Sequence, residues 1–275
     1  MFMSYLTQTA PITLSTLNKY KASGEKFSCL TCYDASFANL MQTAGIEVIL
    51  VGDSLGMVVQ GQSSTLPVTL GDMVYHTANI ARGNSHALIM ADLPFMSYAT
   101  LEDAINSSRA VMQAGANVVK IEGDDGLCQT ISVLAKNGVP VCAHLGLTPQ
   151  AVNVFGGYKV QGRTDEQAKK LLDDCQKLVE AGASMLLLEC VPAALAKMVT
   201  QSVNVPVIGI GAGADTDGQV LVMHDMLGVY TRKPAKFVKD FLGDDANDNG
   251  VLGALELYHK QVKEGSFPAA EHSFN

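Results

Sequence analysis

Charge is scarce in this chain. Only 17% of its 275 residues are Asp, Glu, Lys or Arg, against 48% hydrophobic, and the mean hydropathy is +0.18. So apolar a composition leads us to expect surface buried between copies of the chain. Basic residues are the scarcer sign: 19 Lys and Arg face 27 Asp and Glu, a formal charge of −8. With no basic stripe, neither nucleic acid nor an anionic membrane is an expected partner, and a small anion would need a local lysine or metal ion. No apolar run reaches the roughly 18 residues of a membrane span. The opening "MFMSYLTQTAPITLSTLNKYK" lacks a basic segment followed by an apolar one, so no signal peptide is expected and the expected location is cytoplasmic. Linkers, repeats and low-complexity stretches are also missing, so residues 1–275 read as one domain.

Cysteine gives no metal or redox framework. The six are Cys29, Cys32, Cys128, Cys142, Cys175 and Cys190, four of them in strand-like runs. Cys29-Leu-Thr-Cys32 has CxxC spacing, but positions three apart on a strand face opposite sides. Buried reduced thiols are the expected state.

What the chain does have is alternation. Eight short apolar runs, beginning "FSCLTCYD" at Phe27 and ending "QVLVMHDMLG" at Gln219, suit strands buried on both faces, as parallel strands are. Between them lie helical segments. "SFANLMQTAG" closes on Gly45, and "TLEDAINSSRAVMQAG" opens with Thr100 and Asp103 in capping-box spacing. "DEQAKKLLDDCQKLVEAG" carries Leu171, Leu172, Cys175, Leu178 and Val179 on one stripe. In "PAALAKMVTQSV" the leading proline suits a first helical turn. Eight β-then-α units predict a (β/α)8 TIM barrel, with "TLSTLNKYKASG" as an N-terminal helix closing the barrel bottom and C-terminal helices after Pro234. The stretch from Gly211 to Gly218 leaves little room for a helix. A doubly wound sheet is the alternative fold, but "TCYDASF" has no phosphate-binding glycine turn.

Ionisable residues recur at the C-terminal ends of the runs, where barrel enzymes place their chemistry. Asp34, Asp53, Asp92, Glu122, His144, Glu189 and His224 all stand there, and convergence on one mouth is expected. Lys120 and Glu122, two apart, share a strand face. Clustered carboxylates repel, by about 4 kcal/mol per pair at 4 Å and an effective dielectric of 20, so either some are protonated or a cation sits among them. Oxygen donors without a Cys/His set favour Mg²⁺ over Zn²⁺. Each residue also has a structural reading. Asp34 suits a helix N-cap, Asp53 and Asp92 suit loops, Glu122 suits pairing with Lys120, and Glu189 suits a buried ion pair. His144 and His224 suit hydrogen-bonded scaffold. The glycine-rich "GIGAGADTDG" reads as a phosphate cradle or as a tight turn.

The blocks "TCYDASFA", "GDSLGMVVQG", "ADLPFMSYAT", "VKIEG", "AHLGLTPQ", "FGGYKVQGR", "LLLECVP" and "VIGIGAGADTDGQVLVMHD" together resemble the ketopantoate hydroxymethyltransferase family, from about Thr13 onward. The departures lie in the N-terminal leader and between Tyr230 and Gly265. The resemblance implies a (β/α)8 barrel that moves a one-carbon unit from 5,10-methylenetetrahydrofolate to 3-methyl-2-oxobutanoate, giving 2-dehydropantoate for pantothenate synthesis, and a homodecamer. It implies Asp53 and Asp92 as Mg²⁺ ligands, Glu122 as a third metal-site carboxylate acting through water, Ser54 and Lys120 on the keto acid's carboxylate, and Glu189 as the catalytic base. Burial at the end of "MLLLE" is expected to raise the pKa of that base. Rival readings are a lyase or mutase of the phosphoenolpyruvate/isocitrate-lyase type, whose cysteine-bearing "KKCGH"-like loop is missing here, and a barrel that only binds an oxo acid.

Overall fold

The computed structural model describes residues 10–230 and 233–275. Residues 1–9 of the opening segment read for a signal peptide lie outside them. Eight parallel strands close into a barrel in chain order, β8 pairing back to β1. They are β1 (Phe27–Thr31), β2 (Val48–Val51), β3 (Leu88–Asp92), β4 (Val118–Glu122), β5 (Val141–Gly146), β6 (Met185–Glu189), β7 (Val207–Ile210) and β8 (Gly218–Leu221). The expected TIM barrel is therefore present, and the doubly wound alternative is not.

The helices are α1 (Leu14–Ser23), α2 (Ala35–Thr43), α3 (Leu55–Val58), α4 (Leu70–Gly83), α5 (Leu101–Gln113), α6 (Cys128–Lys136), α7 (Val152–Phe155), α8 (Asp165–Glu180), α9 (Ala193–Ser202), α10 (Met223–Met226) and α11 (Gly250–Lys263). Local chemistry sets their starts. The side chains of Thr13, Asp34, Thr69, Thr100 and Thr164 each accept a hydrogen bond from a backbone N–H of the first turn, satisfying donors that a helix start leaves orphaned. Pro192 stands one position earlier than expected, at the N-cap of α9 rather than inside its first turn. No helix lies between β7 and β8. After Pro234 one α-helix forms, not several: α11 occupies the eighth helix position and packs against β1 and α2. Its Tyr258 is fully buried, and its hydroxyl donates toward the carbonyl oxygens of Cys29 and Gln219 at 2.9 and 2.8 Å.

Period-two alternation divides each strand between two cores. Phe27, Cys29, Val48, Leu50, Leu88, Met90, Val118, Cys142, Met185, Leu187 and Ile208 fill the barrel interior, with Leu17 of α1 plugging the bottom. Leu30, Ile49, Ile89, Val119, Ile121, Ala143, Leu186 and Leu188 face the helical shell. Cys29 thus points in and Cys32 out, and both are free thiols, which rules out a disulfide between them. No helix among the described residues is long and apolar enough to cross a membrane.

One buried carboxylate ties α11 to the barrel. Glu47 is 4% exposed; it accepts from the Ser28 N–H and hydroxyl, both at 2.8 Å, and from Lys263 Nζ at 2.7 Å. Burial works to raise its pKa, but His259, Lys263 and Ser28 together hold it below the ordinary value. A depressed folded-state pKa stabilises the protein above the unfolded value of about 4.3 and loses that contribution as pH falls through the folded value. Glu47→Gln is expected to cost about 2 kcal/mol at pH 7. The gap from the parent should narrow below pH 4, as urea unfolding at the two pH values would record.

Candidate active site

The same alternation that fills the barrel delivers ionisable side chains to its C-terminal mouth. On β3, Leu88 and Met90 point inward, so Asp92 does too. Val118 on β4 places Lys120 and Glu122 inward, Cys142 on β5 places His144, and Met185 and Leu187 on β6 place Glu189. Parallel register then sets the neighbours: Asp92 stands beside Lys120 and Glu122 beside His144. Gly146, opposite Glu189, sits at φ 87°, and a Cβ there would collide with the Glu189 carbonyl oxygen. Only glycine lets β5 and β6 approach so closely at the mouth.

These groups line one cavity of about 240 Å³. Asp53, Ser54, Asp92, Lys120, Glu122, His144, Glu189 and Asp225 are among its polar residues, and Met57, Pro149, Ile210, Val222 and Phe237 are among its apolar residues. Lys120 Nζ lies 2.8 Å from Asp92 Oδ1 and 3.6 Å from Glu122 Oε1. His144 Nδ1 lies 3.1 Å from Glu122 Oε1, and its Nε2 lies 3.3 Å from Glu189 Oε2, near enough to pair but not aligned as a hydrogen bond. The Asp53 N–H donates to Asp92 Oδ2 at 3.0 Å. Ser54 Oγ is 2.9 Å from the Tyr33 hydroxyl.

Burial and mutual repulsion set the protonation. Burial, with Asp92 and Glu122 adding to it, pushes the Asp53 carboxyl well above the usual carboxylate range. Burial also raises Asp92, though Lys120 offsets part of it. Glu122 is held low despite burial, by His144 and Lys120. Burial lowers Lys120, but the three surrounding carboxylates outweigh it and raise the ammonium further. Burial and Lys120 work against a charged His144, yet Glu122 and Glu189 push it up to about 9.

Five carboxyl groups, those of Asp53, Asp92, Glu122, Glu189 and Asp225, therefore line a cavity with two cationic side chains, and the pair on Asp53 and Asp92 suits a divalent cation. Asp92 Oδ1 is buried and pairs with the Lys120 ammonium at 2.8 Å. The adjoining carboxylates of Asp53 and Asp92 offer hard oxygens of the kind Mg²⁺ takes alongside several waters. Glu122 has both oxygens engaged, Oε1 by His144 and Oε2 by the Gln150 N–H at 2.9 Å, which suits contact through water. Among the described residues, no three His, Cys, Asp or Glu side chains make a metal cage by themselves. The residues present fit Mg²⁺ as a two-carboxylate site.

Two expected members are elsewhere. Asp34 is the N-cap of α2, accepting from Ser36 N and Phe37 N at 2.9 and 3.0 Å. His224 lies against the Tyr33 ring at 5.6 Å. Neither lines the cavity. Glu189 is less buried than its apolar run suggested, with 15% of its side chain exposed, because the last residue of β6 opens onto the cavity. The glycine-rich segment after β7 forms the tight turn, its carbonyl at Gly213 taken by Gln219 Nε2 at 2.9 Å. Tyr98 and Gln150, which link Glu122 to Asp53, lie inside the blocks "ADLPFMSYAT" and "AHLGLTPQ", but uncharged residues outside strands carry no spacing signal that assigns them a role.

Residues 11–270 match the family model described as ketopantoate hydroxymethyltransferase. A relative from Psychrobacter sp. (strain PRwf-1), named 3-methyl-2-oxobutanoate hydroxymethyltransferase, is 65% identical over 96% of this chain and 100% of its own length. A relative of the same name from Acinetobacter baumannii (strain SDF) is 59% identical over 96% of this chain and 98% of its own. Among solved structures, oxaloacetate acetylhydrolase in complex with oxalate is similar at a TM-score of 0.61 and 14% identity, over 81% of this chain and 84% of that one. A phosphonopyruvate hydrolase in complex with oxalate and Mg²⁺ is similar at 0.59 and 14% identity, over 76% and 80%. Identities this low bear on the fold alone.

Proposed function

The chain belongs to the ketopantoate hydroxymethyltransferase family, and on that premise we propose that it transfers a hydroxymethyl group to 3-methyl-2-oxobutanoate, giving 2-dehydropantoate for pantothenate synthesis. The one-carbon donor is 5,10-methylenetetrahydrofolate. Asp53 and Asp92 hold Mg²⁺, with Glu122 behind them through water. Bound there, Mg²⁺ supplies Lewis acidity to the ketone and offsets the negative charge that develops on deprotonation. Lys120 and Ser54 take the substrate carboxylate, Lys120 supplying the local cation that an acidic chain needs for an anionic substrate. Glu189, from a separate strand, removes the C3 proton. The resulting carbon nucleophile bonds to the one-carbon unit as both of that unit's C–N bonds to the donor break; water supplies the hydroxyl group, and its remaining proton and the proton taken from C3 end on the two nitrogens of the departing tetrahydrofolate. His144 braces both Glu122 and Glu189. The exposed Tyr75, Phe95, Met96 and Ile105 support burial against other copies, as a homodecamer would provide.

The observation that carries this reading is the convergence of Asp53, Asp92, Lys120, Glu122 and Glu189 on one cavity. Proton NMR of 3-methyl-2-oxobutanoate in D₂O tests it. With enzyme and Mg²⁺ the C3 proton should wash out without any donor, and adding methylenetetrahydrofolate should give 2-dehydropantoate. Chelation should reduce both rates at least tenfold. Full activity after thorough chelation would remove Mg²⁺ from the reading, and washout without transfer would remove the folate donor.

A further inference from the structure

We propose that Gln150 is a positioning residue: it fixes the orientation of the Asp53 carboxylate and, through Asp53, the affinity of the cavity for a divalent cation. This rests on the reading of Asp53 as a cation ligand. Gln150 is 7% exposed, and every polar atom of its side chain is committed. Nε2 donates to Asp53 Oδ2 at 2.9 Å and to the Leu93 carbonyl oxygen at 3.0 Å. Oε1 accepts from the Tyr98 hydroxyl at 2.5 Å. Its backbone N–H donates to Glu122 Oε2 at 2.9 Å, so one residue touches two carboxylates of the site.

The amide can sit only one way. Flipped, it would set Oε1 against two acceptors, Asp53 Oδ2 and the Leu93 carbonyl, and leave its N–H groups facing Tyr98. The Tyr98 hydroxyl itself accepts from the Glu122 N–H at 3.3 Å, and its proton favours Gln150 Oε1 at 2.5 Å over the Glu122 carbonyl oxygen at 3.2 Å. A chain of donors thus runs from the β4 backbone through Tyr98 and Gln150 to Asp53. Among the described residues, no hydrogen bond engages Asp53 Oδ1, so that oxygen is left to the cavity. The N–H from Gln150 also partly offsets the crowding of Asp53 by Asp92 and Glu122. Partners standing behind a metal ligand in this way set its direction, and losing them costs about 10–100-fold in affinity.

The test is calorimetric titration of the substrate-free enzyme with Mg²⁺, with thermal unfolding as a check on each variant. Gln150→Met is expected to raise the Kd for Mg²⁺ about tenfold or more. Tyr98→Phe should raise it less, in the same direction. Because Tyr98 acts through Gln150, the double variant should bind within twofold of Gln150→Met alone. Should Gln150→Met fail to fold, Tyr98→Phe carries the test. Parent-like affinity in a folded Gln150→Met or in Tyr98→Phe, or effects that multiply in the double variant, would overturn the proposal. A parent enzyme that binds no Mg²⁺ takes down the metal reading as well; a parent that binds it while the variants match it takes down this proposal alone.

Discussion

Glu189→Gln is expected to slow exchange of the C3 proton of 3-methyl-2-oxobutanoate by about 10²–10⁴-fold, the range that a positioned general base contributes. Glutamine keeps the length and shape of the side chain but cannot accept the proton. Glu189 stands on the inward face of β6, beside His144 Nε2 at 3.3 Å and open to the cavity, while the groups proposed to hold the cation come from β3, β4 and the loop after β2. Removing the base should therefore leave Mg²⁺ affinity and keto-acid binding within a few-fold of the parent. The measurement is deuterium incorporation at C3 followed by NMR, paired with calorimetric binding of the keto acid. Parent-like exchange in the variant would take the base role from Glu189. Loss of exchange together with loss of cation binding would assign Glu189 to the site's architecture instead.

Asp92→Asn carries the second large effect. Asp92 accepts the Asp53 N–H on Oδ2 and faces Lys120 Nζ at 2.8 Å with Oδ1. Asparagine preserves the shape and removes the charge. Loss of a direct ligand should exceed the cost of losing a supporting partner, so Mg²⁺ affinity should fall about 100-fold or more, and transfer should fall with it. The effect on folding is a balance. The variant relieves crowding between Asp92 and Asp53, yet leaves Lys120 with a neutral neighbour, and breaking a buried pair costs about 3–5 kcal/mol when the remaining charge is uncompensated. Lys120 keeps Glu122 at 3.6 Å, so the loss should fall below that range. Thermal unfolding beside metal titration separates the two. Undiminished Mg²⁺ affinity in a folded Asp92→Asn protein would exclude Asp92 as a ligand.

The two residues are legible in the same way. Glu189 and Asp92 each end an apolar run, and counting back by two along either run lands on residues of the barrel interior. Asp34 and His224 occupy sequence positions of the same appearance, yet one caps a helix and the other packs on Tyr33. Asp34 lies three residues past the end of β1, and His224 lies on α10 after β8. Beyond a strand's last residue the alternation no longer applies, and the path of the loop decides. Asp53 lies two residues past β2, where the path of the loop through Gly52 and Ser54 carries it to the cavity. A Cβ at position 52 would stand 2.7 Å from Ser54 Oγ.

Gln150 and Tyr98 mark the other boundary. Their roles arise from hydrogen bonds between loops that follow different strands, Gln150 being 97 residues from Asp53 and 52 from Tyr98. Separation along the chain says nothing about such meetings, and neutral polar residues in loops have no periodic mark.

By itself the amino-acid order determined the eight buried strands, the helices between them, the plug at the barrel bottom and the inward direction of Asp92, Lys120, Glu122, His144 and Glu189. All of these follow from local periodicity and capping, which depend on residues only a few positions apart. Tertiary structure alone decided that α11 would take the eighth helix position, that Asp34 and His224 would stay out of the cavity, and that Tyr98 and Gln150 would brace Asp53. Those outcomes depend on ring closure and on loop paths meeting across long stretches of chain, where packing and hydrogen-bond satisfaction choose among routes that local propensity leaves equal.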